Sequence, residues 1–207
     1  MDFYKLISSL KKYYRSAQTQ SGFSLVELMV SVGIVLLIAA IILIRYSSFN
    51  SAVVLRNLAF EIAIAIREAQ VLSISVLGES GDFSGVYGIY IDRSDTGAVT
   101  KEYILYRDTS SGGDGIFNAG SEEFQTFEMN DDFRIVDVCQ TTGGVETCNV
   151  NPIAISFERP DFDARFDIGN NGINTSVTAV EIHIEAVADN TITRIVEIGA
   201  TGQISVK

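Results

Sequence analysis

Residues 22–45 read GFSLVELMVSVGIVLLIAAIILIR. From Leu25 to Ile44 only Glu27, Ser31 and Gly33 are not apolar, and Glu27 alone carries a charge. At about 1.5 Å per helical residue this run spans roughly 30 Å, the hydrocarbon thickness of a bilayer. It is apolar on every side, so the sequence predicts a transmembrane helix over 23–44 that sits in lipid or in a bundle of its own kind.

Working outward, residues 1–22 carry Lys5, Lys11, Lys12 and Arg15 against Asp2, a local charge of +3, which leaves −14 on the remainder of a chain whose net charge is −11. A basic segment before an apolar span predicts a cytoplasmic N-terminus and an exported C-terminal body. A conventional secretory signal is the competing reading. It needs a shorter apolar stretch, roughly 7–15 residues, followed by small residues at the cleavage site. Here no such pattern precedes Arg45, and the small residue, Gly22, lies on the wrong side of the run.

Beyond Arg45 the helical pattern continues over 45–77. Phe49, Val53, Leu55, Leu58, Ile62, Ile66, Ala69 and Leu72 recur near a period of 3.6, with Arg56, Glu61, Arg67, Glu68 and Gln70 as polar positions. One helix from Ser24 to about Leu77 is expected, greasy all round in its first half and amphipathic in its second. The Gly78–Asp82 cluster breaks it, and 78–207 reads as short strands. Val180, Ile182, Ile184 and Ala186 alternate with Glu181, His183 and Glu185, the pattern of a half-buried strand. The fold class expected is α+β: a long N-terminal helix packed on an antiparallel β-sheet.

Composition excludes several functions. One histidine, His183, removes multi-histidine metal sites, and two cysteines, Cys139 and Cys148, cannot build a zinc ribbon. The acidic balance argues against nucleic acid, because phosphate binding draws on surplus Lys and Arg. Among the last seven residues only Lys207 is basic. His183 has no Ser or Cys in a nucleophile-elbow context. The carboxylates at Asp131-Asp132, and at Asp161 and Asp163, sit in turn-like contexts, so no enzyme is read here.

The junction Gly22-Phe23-Ser24-Leu25-Val26-Glu27 resembles the type III signal of type IV prepilins and pseudopilins: a basic leader, Gly before Phe, an apolar helix, and Glu at the fifth mature position. The resemblance implies the type IV pilin-like fold. It also implies that a prepilin peptidase removes 1–22 by cutting after Gly22, that the Phe23 amine is N-methylated, and that the apolar helix stays in the mature chain. Glu27 then lies four residues from a new α-ammonium, and can neutralise its own terminus or that of an adjoining subunit. Among helices drawn together out of lipid, an unpaired charge is costly, which favours subunits in matching axial register.

In the body, closing the segment between Cys139 and Cys148 removes roughly 2.5–3 kcal/mol of unfolded-chain entropy. Export makes oxidation reasonable, with two free thiols the alternative. Asp108, Asp114, Asn118 and Glu122 stand in a Gly-rich stretch that looks like a calcium loop. The EF-hand spacing fails there, since the twelfth position from Asp108 is Ala119, and a solvated connection is expected. No other cofactor is read. The C-terminal strands resemble those of the H-type minor pseudopilins of type II secretion and of FimT-like pilins. The expected role is a minor structural subunit of a type IV pilus or pseudopilus. Its implied partners are prepilin peptidase, other pilins, the inner membrane and, indirectly, an assembly platform protein and ATPase. The implied location is the inner membrane, then the filament. The alternative is a single-pass anchored binding module that never enters a filament.

Overall fold

The computed structural model describes residues 22–75, 85–93, 100–110 and 113–207. The chain forms two compact units, Met1–Tyr46 and Ser47–Lys207. Helix α1 covers Leu25–Ile74 and is followed, among the described residues, by ten strands. The basic segment 1–21 and the Gly78–Asp82 breaker fall outside the described residues.

The strands are β1 (Val86–Ile91), β2 (Glu102–Asp108), β3 (Glu123–Glu128), β4 (Phe133–Thr142), β5 (Val145–Thr147), β6 (Ile153–Phe157), β7 (Ala164–Ile168), β8 (Val177–Ala186), β9 (Asp189–Gly199) and β10 (Ile204–Val206). The α+β architecture stands, but the strands divide where a single sheet was expected. One five-stranded sheet runs β3-β2-β1-β6-β7 and a second runs β10-β9-β8-β4-β5, with every pairing antiparallel. The sheets meet at Thr100, which exchanges backbone hydrogen bonds with Ile135 of β4. Buried Arg93 reinforces the junction, donating to Val136 O at 2.6 Å and Asp137 Oδ1 at 3.3 Å.

In the second unit one face of α1 enters the core. Leu55, Ala59, Ile62, Ala65, Ile66 and Ala69 are buried, and they join residues of both sheets, among them Ile89, Leu105, Ile135 and Ile182, in one cluster. The expected stripe is corrected here. Leu55, Ile62, Ile66 and Ala69 face inward as expected, but Val53 is exposed and Leu58 and Leu72 are only half-buried, while the small Ala59 and Ala65 and the polar Gln70 and Ser73 take further inner positions. The Phe49 side chain lies outside the described residues. Small side chains let the helix backbone approach the sheets, and each inner polar group has a partner. Ser73 Oγ accepts from Tyr87 N at 3.0 Å. Gln70 Nε2 donates to Phe162 O at 2.9 Å and to Gly202 O at 3.2 Å. Gly202 has a φ of +74°, and a Cβ there would overlap the carbonyl oxygen of Phe162, so only glycine suits this turn.

Candidate functional site

Gly22, Phe23 and Ser24 precede the first turn of α1, and all three are exposed. The space around Gly22 is open: a Cβ there would meet nothing within 4 Å. Ser24 starts the helix. Its Oγ accepts from Glu27 N at 3.2 Å and its carbonyl from Leu28 N at 3.1 Å. That is the N-cap half of the Ser-x-x-Glu pattern, so a hydroxyl satisfies one of the backbone donors left over at a helix start. The expected helix start at Ser24 coincides with a capping hydroxyl. Glu27 thus sits in the first turn, exposed, where the helix dipole favours a carboxylate.

Behind it, Leu25–Leu43 has a mean hydropathy of 2.8 and none of it is buried. Within this stretch Ser31 Oγ donates back to Leu28 O at 2.9 Å, so its hydroxyl is satisfied inside the helix. By length and composition the segment is able to cross a membrane.

The other sequence-predicted positions lie in the second unit. Cys139 and Cys148 are joined by a disulfide. It closes a hairpin, since Gln140 pairs with Thr147 and Thr142 with Val145, across a two-residue turn of Gly143 and Gly144, both at positive φ. Two groupings of titratable side chains fall near this bridge, Asp137 with Cys139 and Cys148, and Cys139 with Glu146 and His183. In both, the sulfur is bonded to sulfur and is no thiolate donor.

Asp108, Asp114 and Glu122 do not converge as a ligand group, and the groupings among the described residues contain none of them. Nor is the connection solvated as expected, because Asp108 and Glu122 are buried. Asp108 accepts from Ser110 N at 2.8 Å and from Gly115 N at 2.6 Å. Glu122 accepts from Thr109 N at 3.1 Å and from Asn118 N at 2.8 Å. Asp114 accepts from Ile116 N at 2.9 Å. These backbone N–H bonds fold the loop over the outer face of the first sheet. There Phe117 packs on Tyr90, ring centroids 4.3 Å apart.

His183 is half-buried, its Nε2 3.4 Å from Glu181 Oε2. Glu181 also receives Lys207 Nζ at 2.8 Å, and this bond holds its carboxyl below the usual range. Lys207, the one base near the C-terminus, is therefore engaged with Glu181 and with Glu197 at 3.2 Å. Glu185, read as surface-facing, is buried and held by Arg134, whose Nε donates at 2.7 Å.

The family model for the prokaryotic N-terminal methylation motif matches residues 18–43. No curated protein matches the chain. No solved structure matches it. With the apolar helix behind it, the motif supports a type IV pilin-like prepilin or pseudopilin, a structural class and not an enzyme family. The same features support membrane anchoring. The motif implies processing by prepilin peptidase and assembly with other pilins.

Proposed function

We propose that this chain is a structural subunit of a type IV pilus or type II secretion pseudopilus. It is cut after Gly22, methylated on Phe23 and assembled through α1, with the 47–207 unit on the exported side of the inner membrane. The observation that carries this reading is the conjunction at one end of one helix: the methylation motif at 18–43, and directly within it an apolar surface that none of the described residues covers. An all-round apolar helix needs lipid first and other helices afterwards. The polar Ser24 cap leaves the Gly22–Phe23 bond outside the helix, where a peptidase can reach it. In the filament Glu27 meets the α-ammonium of Phe23 from its own or a neighbouring subunit.

Mass spectrometry of the mature N-terminus tests the processing step. A chain beginning at methylated Phe23 is expected, and one beginning at Met1 overturns the reading. Assembly is tested by Glu27→Ala, which should insert in the membrane normally yet be depleted at least tenfold from sheared filaments. Normal incorporation would remove the register role. A processed chain that never reaches the filament fraction would favour the anchored binding module.

A further inference from the structure

The second unit carries an open groove of about 410 Å³, lined by Ala52, Val53, Arg56, Asn57 and Phe60 of α1 and by Arg194 of β9. Its chemistry is out of keeping with a chain of net charge −11. Arg56 lies over the Phe60 ring, 5.7 Å from the centroid. Arg194 donates to the carbonyl of Thr193 at 2.7 Å. Among the described residues neither arginine has a carboxylate partner, whereas Arg93, Arg134 and Arg165 pair with Asp137, Glu185 and Glu158. Val53 and Phe60 are each 44 % exposed. An apolar floor with two unneutralised guanidinium groups fits an aromatic side chain flanked by carboxylates.

The chain presents such a segment at Asp161-Phe162-Asp163, in the connection between β6 and β7. All three residues are exposed, Phe162 at 55 %. In the same connection Glu158 is paired with Arg165 and Arg159 is half-buried, so the outermost charges are the two aspartates. The segment is held in place, because the Phe162 carbonyl accepts from Gln70 of the helix. The tip is thus fixed beside position 70 while the groove lies at positions 52–60. The ten or more helical residues between them amount to at least about 15 Å along the axis. Groove and tip are therefore different patches at different levels. A contact joining them between copies is heterologous, and wherever its rotation does not close a ring it repeats as a line of subunits.

We propose that this groove docks the Asp161-Phe162-Asp163 tip of a second copy of the chain, the aromatic ring entering against Phe60 and the aspartates pairing with Arg56 and Arg194. The filament reading supplies the setting for the contact. Consecutive copies are what it requires, which sets it against a subunit present only singly.

The test uses the full chain in neutral detergent with the Cys139–Cys148 bridge intact. Two variants, Asn57→Cys and Asp163→Cys, are oxidised separately and mixed, and covalent dimer is read on a non-reducing gel. The mixture should yield at least tenfold more dimer than either variant alone. Adding Arg56→Glu and Arg194→Glu to the Asn57→Cys chain should abolish the excess. Adding Asp161→Arg to the Asp163→Cys chain should restore much of it. Equal yields from the single variants, or yields indifferent to charge reversal, overturn the proposal. So does cross-linking that needs phosphatidylglycerol vesicles, which would assign the groove to a lipid headgroup. The N-terminal mass measurement is independent: a chain starting at Phe23 without the cross-link sinks only the docking, and a cross-link on a chain starting at Met1 sinks only the filament reading.

Discussion

Along Leu25–Leu43 none of the helix is buried, whereas Leu55, Ile62, Ile66 and Ala69, further along the same helix, are at 0 % exposure. Both stretches are rich in aliphatic residues, so hydrophobicity alone does not separate them. The second stretch carries Arg56, Glu61, Arg67 and Glu68 on its outer side, and that polar face lets the chain's own sheets cover the inner one. The first stretch offers no polar face, and none of the described residues covers it.

The largest expected effect follows from that difference. Ile62→Ala, at a fully buried position, should lower the unfolding free energy by about 3 kcal/mol through lost contacts and a residual cavity. Ile38→Ala, 51 % exposed, should leave it unchanged. Urea unfolding of the full chain in detergent, followed by near-UV circular dichroism, compares the two. Equal losses would mean the halves fold as one cooperative unit, and the contrast would fail.

Breaking the disulfide sharpens it further. Replacing Cys139 and Cys148 together by Ser should cost about 2.5 kcal/mol, the loop-closure entropy of a short ring. The loss should appear in the domain's transition only. Helical signal from the apolar half should persist in micelles after the domain has melted, and its disappearance in the same transition would contradict the division. A smaller effect, about 2 kcal/mol, is expected for Gln70→Leu, which strands the buried carbonyl of Gly202 and removes the tie to Phe162.

The same division explains what the sequence could be made to say. The apolar run and the Gly22-Phe23 junction are local signals, legible because each is decided within a turn or two of helix. The strand at Val177–Ala186 was legible for the same reason, falling where the alternation of Val180, Ile182, Ile184 and Ala186 with polar residues places it. The split into two sheets was not, because β1 pairs with both β2 and the distant β6, and no local pattern encodes that choice. The inner face of the helix departs from the hydrophobic stripe at Ala59, Ala65, Gln70 and Ser73, because close packing selects small side chains and polar groups that have partners. Asp108 and Glu122 looked like ligands because their types suit a cation. Their burial and their bonds to the backbone N–H groups of Gly115 and Asn118 are visible only in the fold.

The gentlest probe of the comparison is pH, acting through Glu181 and Lys207. Glu181 sits below its ordinary value of 4.5 chiefly because Lys207 Nζ donates to it, with His183 adding to the same direction. A carboxyl lowered on folding stabilises the fold above about pH 4.5, and that contribution is lost as pH falls through the folded value. Lys207 sits above its ordinary value of 10.5 because Glu181 and then Glu197 accept from it, so its contribution is complete below 10.5 and lost as pH rises through the folded value. The pair therefore works between these limits. Lys207 is half exposed, and solvent and salt screen the pair to about 0.5 kcal/mol or less. Lys207→Met should lower domain stability by that amount at neutral pH, and the difference from the parent should vanish in strong acid and in strong alkali. A difference that stays constant across the range would assign the effect to the pairing of β10 with β9 instead of to charge. Glu181 and Lys207 both belong to the Ser47–Lys207 unit, so the helical signal of the Leu25–Leu43 stretch should not follow the curve of the domain.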